Sequence, residues 1–233
     1  MKDLENHVLS SLQHSTAEEI LAFFLGRYGG KTVFSSGMGA EDQVITHMIA
    51  SLDNSGYIFT LDTGRLFPET YDLIQATEAR YGIRIHVLFP DAARVEEMVS
   101  ERGINLFYDS VENRKLCCGI RKTESLKRAL QGNDVWISGL RREQSFARRE
   151  TLPVEWDDQY RLYKVNPLAY WTTDQVWDYI RRNRVPYHPL HDRGFPSIGC
   201  QPCTRAVEPG EDLRAGRWWW EMDGHRECGI HWK

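Results

Sequence analysis

Apolar residues recur along this chain with two periods. The runs KTVFSS (31–36), YIFTLD (57–62), IRIHVLF (83–89), DVWISGL (134–140) and RLYKVNPL (161–168) are short and rich in β-branched and aromatic residues. Between them, segments such as AEDQVITHMIASL, PETYDLIQATEARYG and TTDQVWDYIRRN space their apolar positions every three or four residues. The first pattern predicts strands and the second predicts helices. Their alternation predicts an α/β fold: a parallel-rich, twisted, Rossmann-like sheet with helices on both faces, whose ligands sit at the carboxyl ends of the strands. A further helix is expected at the front, opening at STAEEILAFF with Ser15 and Glu18 in capping-box spacing. Internal repeats and low-complexity linkers are absent from the sequence.

With 233 residues, 41% of them hydrophobic, the chain can bury a sizeable core, and the expected organisation is one domain over 1–210 with an appended mobile tail over 211–233. A net charge of −4 argues against bulk binding to nucleic acid or to an anionic membrane. Arginines nevertheless cluster in GLRREQSFARR (139–149) and EDLRAGRWWW (211–220), which points to a small anionic ligand. The amino-terminal stretch has no apolar segment behind its charges, and no run approaches the ~18 apolar residues of a membrane span. Five cysteines, an odd number, do not make a disulfide scaffold. The expectation is a soluble protein of a reducing compartment, the cytoplasm.

Three segments carry candidate chemistry. In FSSGMGAEDQ (34–43), small residues between a strand and a helix let backbone amides approach an anion, and the helix adds its positive end. Such a turn is as often a bare connection, and this one has neither the Walker nor the dinucleotide glycine pattern. The adjacent Cys117 and Cys118 are followed, after 81 residues, by the CQPC of Cys200 and Cys203. Four thiolates hold either zinc or an iron–sulfur cluster; neighbouring cysteines converge poorly on one small ion but can serve separate corners of a cubane, so the spacing favours the cluster, with unliganded thiols third. The fifth thiol, Cys228, precedes Gly229 in a tail, which suits a nucleophile that must travel.

In their order and spacing, SSGMGAED, LDTGRLFPETY, KLCCGIRK, WISGLRREQSFAR, NPLAYWTTDQVWDYI, PYHPLHDRGFPSIGCQPCT and ECGIHW closely resemble the assimilatory sulfonucleotide reductases, the adenylylsulfate (APS) and phosphoadenylylsulfate (PAPS) reductases, over nearly the full chain. The resemblance implies an adenine nucleotide alpha hydrolase-like fold and one [4Fe-4S] cluster on Cys117, Cys118, Cys200 and Cys203, a motif of the branch that takes APS. It implies that Cys228 attacks the sulfonucleotide sulfur and becomes an S-sulfocysteine, which thioredoxin or a glutaredoxin-like dithiol resolves to sulfite. Lys122 and His231 are then expected at the reacting centre, Ser35, Ser36 and Gly37 at the α-phosphate, and Leu61 near the adenine. Arg142, Arg149, Arg214 and Arg217 are expected on phosphate or sulfate oxygens. Asp42 is expected to organise the loop, because a carboxylate repels phosphate.

The resemblance also admits a homo-oligomer. PAPS, alone or beside APS, stays open as substrate, because no dedicated 3′-phosphate site can be placed. A tRNA-thiolating pyrophosphatase is disfavoured because SSGMGAED departs from the SGGxDS loop of ATP-cleaving relatives, and a non-catalytic zinc domain is the remaining alternative. Trp218, Trp219 and Trp220 read equally as a lid or as ordinary packing, and His188 and His191 read as polar scaffolding rather than metal ligands.

Overall fold

The computed structural model describes residues 3–52 and 56–221. Its chain divides into two compact units: unit 1 holds Met1–Thr60, Pro68–His86 and Gly132–Pro189, and unit 2 holds Leu61–Phe67, Val87–Gln131 and the residues from Leu190 onward.

A six-stranded sheet dominates the first unit. Its strands are β1 (Thr32–Ser35), β2 (Tyr57–Leu61), β3 (Ile85–Leu88), β4 (Val135–Ile137), β5 (Val154–Asp157) and β6 (Leu162–Val165), in the spatial order β3-β2-β1-β4-β6-β5. β1 pairs in parallel with β2 and β4, β4 pairs in parallel with β6, and β5 adds to the β6 edge antiparallel. Every residue of β4 and β6 is buried. A strand wet on one face would alternate, so unbroken burial is the mark of a sheet covered on both sides. The strand order reverses between β1 and β4, and the crevice beyond their carboxyl ends is where doubly wound sheets take ligands.

The helices of this unit are α1 (Asn6–Leu12), α2 (Ala17–Tyr28), α3 (Ala40–Ser51), α4 (Pro68–Tyr81) and α8 (Thr173–Asn183). The front helix is capped one residue later than expected. Thr16 accepts from the Glu19 amide at 3.2 Å and Glu19 accepts from the Thr16 amide at 2.8 Å, whereas the Ser15 hydroxyl donates back to the Ser11 carbonyl. Ser15 is thereby held by α1, a helix the apolar pattern did not signal, and the next hydroxyl takes the cap. β5 was likewise unforeseen, because an edge strand of four residues with a half-buried face carries little periodicity.

Unit 2 is built from α5 (Ala92–Arg102), α6 (Val111–Cys118), a π-helical segment over Gly119–Thr123, α7 (Glu124–Leu130) and, over 190–221, largely irregular chain with short 3-10 turns. Its core gathers Met98, Leu106, Phe107, Cys117, Ile120, Cys203 and Trp218. Among the described residues, no helix is long and apolar enough to cross a membrane.

Candidate functional site

In unit 1 the expected nucleotide loop runs from Ser35 to Gly39, between β1 and α3, at the reversal point of the sheet. Met38 takes a left-handed φ of 61° and is fully buried, so the loop turns sharply around its side chain. Asp42, in the first turn of α3, accepts hydrogen bonds from the Gly37 amide at 2.8 Å and the Gly39 amide at 3.2 Å. Burial, with the Glu41 charge beside it, nevertheless pushes its carboxyl up to about 7 against the pull of those two donors and of Arg148. The Ser36 hydroxyl accepts from the Met38 amide, and that of Ser35 accepts from the Trp136 indole at 2.7 Å. Ser35 in turn donates to the Ile137 carbonyl and Ser36 to the Met38 sulfur, both long contacts of 3.4 Å that an anion would outcompete.

The turn after β4 closes on this loop. A Cβ at Gly139 would stand 2.3 Å from an Asp42 carboxylate oxygen, so only glycine admits the approach. Nearby, Arg141 is buried and donates through Nε to Glu41 at 2.8 Å, with Nη1 reaching the Trp171 carbonyl at 3.0 Å. The arginines singled out from the sequence lie elsewhere on the same segment. Arg142 donates to the Thr151 carbonyl and stacks 4.4 Å from the Tyr170 ring centre, while Arg149 is exposed, stacked on Phe146 and paired with Glu150. Arg141 and Arg148 are the two whose charge reaches the loop carboxylates, and nothing in the spacing of GLRREQSFARR distinguished them.

In unit 2 the structure brings the cysteine segments together. Cys117 and Cys118 end α6 where it passes into the π-helical segment, a local widening that often accompanies functional positions. All four cysteines are free thiols, Cys117 and Cys203 buried and Cys118 and Cys200 half-buried. Burial raises the Cys117 thiol, opposed by Arg121, whose guanidinium also hydrogen-bonds it, and by Lys122. Burial likewise pushes Cys203 up to about 12; the neighbouring Cys200 and Cys117 add to this, whereas Lys122 and Arg217 oppose it. Thus three of the four sulfurs lie within one another's field, with three cations around them.

LDTGR (61–65) ties this region together. Leu61 ends β2, the Asp62 carboxylate takes the Gly64 amide at 2.7 Å, and the Thr63 hydroxyl lies 3.2 Å from the Cys200 sulfur. The Thr63 carbonyl accepts from Arg121 at 2.6 Å, and the Arg65 carbonyl accepts from the Gln201 amide at 2.8 Å. Thr63 and Arg121 are the members of the site that the sequence did not reveal: a threonine and one arginine among 29 basic residues carry no signal until the fold sets them against the sulfurs.

Arg214 and Arg217 are buried in the same unit. Arg214 is 3.4 Å from the Ser197 hydroxyl, and Arg217 donates to the Ile198 carbonyl at 3.1 Å. Trp218 is buried, Trp220 packs 4.5 Å from Tyr108, and Trp219 stays partly exposed. The tryptophans are therefore mainly packing residues. His188 bonds to Thr70 in unit 1, and His191 bonds to the Phe195 carbonyl in unit 2, so both are scaffold. Cys228 and His231 lie outside the described residues.

As donors, the thiols of Cys117, Cys200 and Cys203, gathered at an apolar core with cations beside them, suit soft iron better than a hard metal, and so fit an iron–sulfur cluster in kind. Among the described residues, no group of three or more histidine, cysteine, aspartate or glutamate side chains is arranged to hold a metal ion.

Comparison with known proteins identifies the family. Residues 31–206 match the family model of the phosphoadenosine phosphosulfate reductase domain. The adenosine 5′-phosphosulfate reductase of Allochromatium vinosum is 52% identical over 199 residues, covering 85% of this chain and 78% of the relative. The enzyme of the same name from Neisseria meningitidis is 49% identical over 199 residues, covering 85% and 81%. The crystal structure of phosphoadenylyl-sulfate reductase from Candida auris, a phosphate complex, superposes with a TM-score of 0.73 at 26% identity, covering 88% of this chain and 98% of that one. An FMN adenylyltransferase of Candida glabrata, 16% identical with a TM-score of 0.56, shares the fold alone. With its nucleotide-type loop, its paired cysteine segments and a family match spanning most of its length, the chain belongs to the phosphoadenosine phosphosulfate reductase family.

Proposed function

We propose that this protein reduces adenosine 5′-phosphosulfate to sulfite and AMP. The observation that carries the reading is the gathering of Cys117, Cys200 and Cys203 with Arg121, Lys122 and Arg217 in one unit, in a chain about half identical to proteins named adenosine 5′-phosphosulfate reductase. The nucleotide would rest on the Ser35–Gly39 loop, with Ser35, Ser36 and Gly37 facing its α-phosphate and Leu61 its adenine. Arg142, Arg149, Arg214 and Arg217 would meet its remaining oxyanions. Cys117, Cys118, Cys200 and Cys203 would hold one [4Fe-4S] cluster, which would supply a fixed local charge.

The Cys228 thiolate attacks the sulfate sulfur. An S–S bond forms, the S–O bond to the phosphate breaks, and AMP leaves with the bonding pair. A dithiol of the thioredoxin or glutaredoxin type then attacks the Cys228 sulfur and expels sulfite; its second thiol closes the donor's disulfide, so the donor supplies both electrons. Lys122 and His231 steady the oxyanions during the displacement. The tail over 211–233 serves in this scheme as the carrier of the nucleophile.

The test is a side-by-side kinetic comparison of adenosine 5′-phosphosulfate with its 3′-phosphorylated form, using anaerobically purified protein and reduced thioredoxin. A strong preference for the unphosphorylated nucleotide is expected, and a strong preference for the other overturns the substrate assignment. Iron and sulfide analysis decides between cluster and zinc.

A further inference from the structure

One buried ion pair in unit 2 has no part in the scheme above. Arg114 stands one turn before Cys117 on α6 and is 2% exposed. Its Nε donates to Glu221 Oε1 at 2.8 Å and its Nη2 donates to Glu221 Oε2 at 2.9 Å. A guanidinium fork on a carboxylate sets direction as well as distance, and two charges this deeply buried hold each other because either alone is costly to bury.

The surrounding contacts fasten the same segment a second time. Trp218, in a left-handed conformation with φ 46°, has the Arg114 and Arg217 guanidiniums 4.8 and 4.7 Å from its ring centre. Its amide donates to the Cys203 carbonyl at 3.2 Å, the Glu221 amide donates to the Trp218 carbonyl at 2.9 Å, and Thr204 bridges to Arg217. Residues 217–221 are therefore attached both to the helix bearing Cys117 and Cys118 and to the turn bearing Cys200 and Cys203. Cys228 follows Glu221 by seven residues, a reach of at most ~25 Å when fully extended.

We propose that Arg114 and Glu221 are a positioning pair, fixing the point from which the chain departs toward Cys228 relative to the cysteine-bearing helix. A tethered nucleophile meets its target at an effective concentration set by the tether's origin and length, so an origin held to within a hydrogen bond keeps Cys228 in range of one site. This rests on the reading of Cys228 as the nucleophile.

Two variants test it. R114M/E221M removes both charges together and leaves neither orphaned, and R114K keeps the charge but loses the fork. In iron-loaded protein given adenosine 5′-phosphosulfate without a dithiol, intact-mass spectrometry should show adduct formation on Cys228 slowed about tenfold or more in R114M/E221M and less in R114K. Iron per chain and the Kd for AMP should stay within about twofold, while amide exchange over 218–221 accelerates. Adduct formation at the wild-type rate in both loaded variants overturns the proposal. So does a fall that merely tracks lost iron, because the pair then serves cluster retention alone. Should R114M/E221M fail to fold, R114K decides by the same criteria. If the wild type forms no adduct, the reading of Cys228 has failed instead; the pair is then judged on amide exchange, and unchanged exchange over 218–221 in R114K overturns it.

Discussion

Asp42 takes both of its loop hydrogen bonds from residues within five positions of itself, whereas Cys200 meets a threonine 137 positions away and Arg114 meets a carboxylate 107 positions away. The two regions thus hold charge differently. The loop after β1 closes on itself: a carboxylate occupies the amides of its own turn, and the neighbouring strand end needs only to stay out of the way with a glycine. The cysteine region cannot be assembled locally, and it keeps its thiols in an apolar core where a free thiolate is unfavourable without nearby cations. A locally closed loop should tolerate damage to the chemistry elsewhere, and the cysteine region should tolerate little.

The largest expected effect falls on the chemistry and spares the loop. Cys228→Ser should abolish sulfite formation, because a hydroxyl cannot enter thiol exchange. Iron content and AMP affinity should stay near wild type, and the wild type alone should gain ~80 Da at Cys228 with substrate and no dithiol. Turnover by the serine variant, or an adduct on another cysteine, breaks the assignment. Cys203→Ser comes next: a hard hydroxyl is a poor iron ligand, so anaerobically purified variant should lose most of its iron while AMP still binds. Stoichiometric iron in this variant would remove Cys203 from the proposed ligand set.

Lys122→Ala sharpens the contrast within the cysteine region. If Lys122 belongs to the reacting centre as proposed, its loss should lower kcat/KM about 100-fold with iron content intact, and an unchanged rate sinks the electrostatic role. In the other region, Gly139→Ala drives a methyl group into Asp42. A loss of about 1–3 kcal/mol in denaturant unfolding, with weaker AMP binding and unchanged iron per chain, is expected. Full stability in that variant would show that the close approach is not needed.

The smallest effect is on pH dependence. Because the folded Asp42 titrates at about 7, above its ordinary 3.8, the native state keeps a proton that the unfolded state has lost between those values. Its contribution to stability therefore declines as pH rises through that window and is constant above it. Asp42→Asn, which still accepts from both amides, should flatten the pH profile of unfolding between pH 4 and 7, removing a change of about 1 kcal/mol or more. A wild-type profile that instead rises with pH no differently from the variant's would contradict the raised pKa.

The parts of this protein legible along its chain are those whose physics is local. The five strand runs, the helices opening at Ala40, Pro68 and Thr173, and the turn from Ser35 to Gly39 follow from periodicity, capping and turn chemistry, which act within a few residues. The cysteine spacing and the family motifs pointed to the two segments that the fold brings together through Cys117, Cys200 and Cys203, although not to what surrounds them. The remainder came only with folding. Folding alone set Arg141 on Glu41, Gly139 against Asp42, Thr63 and Arg121 beside the thiols, and Arg114 on Glu221. An arginine's role depends on which carboxylate or sulfur shares its low-dielectric surroundings, and burial and proximity across 100 residues are properties of the folded chain, leaving no periodic trace along it.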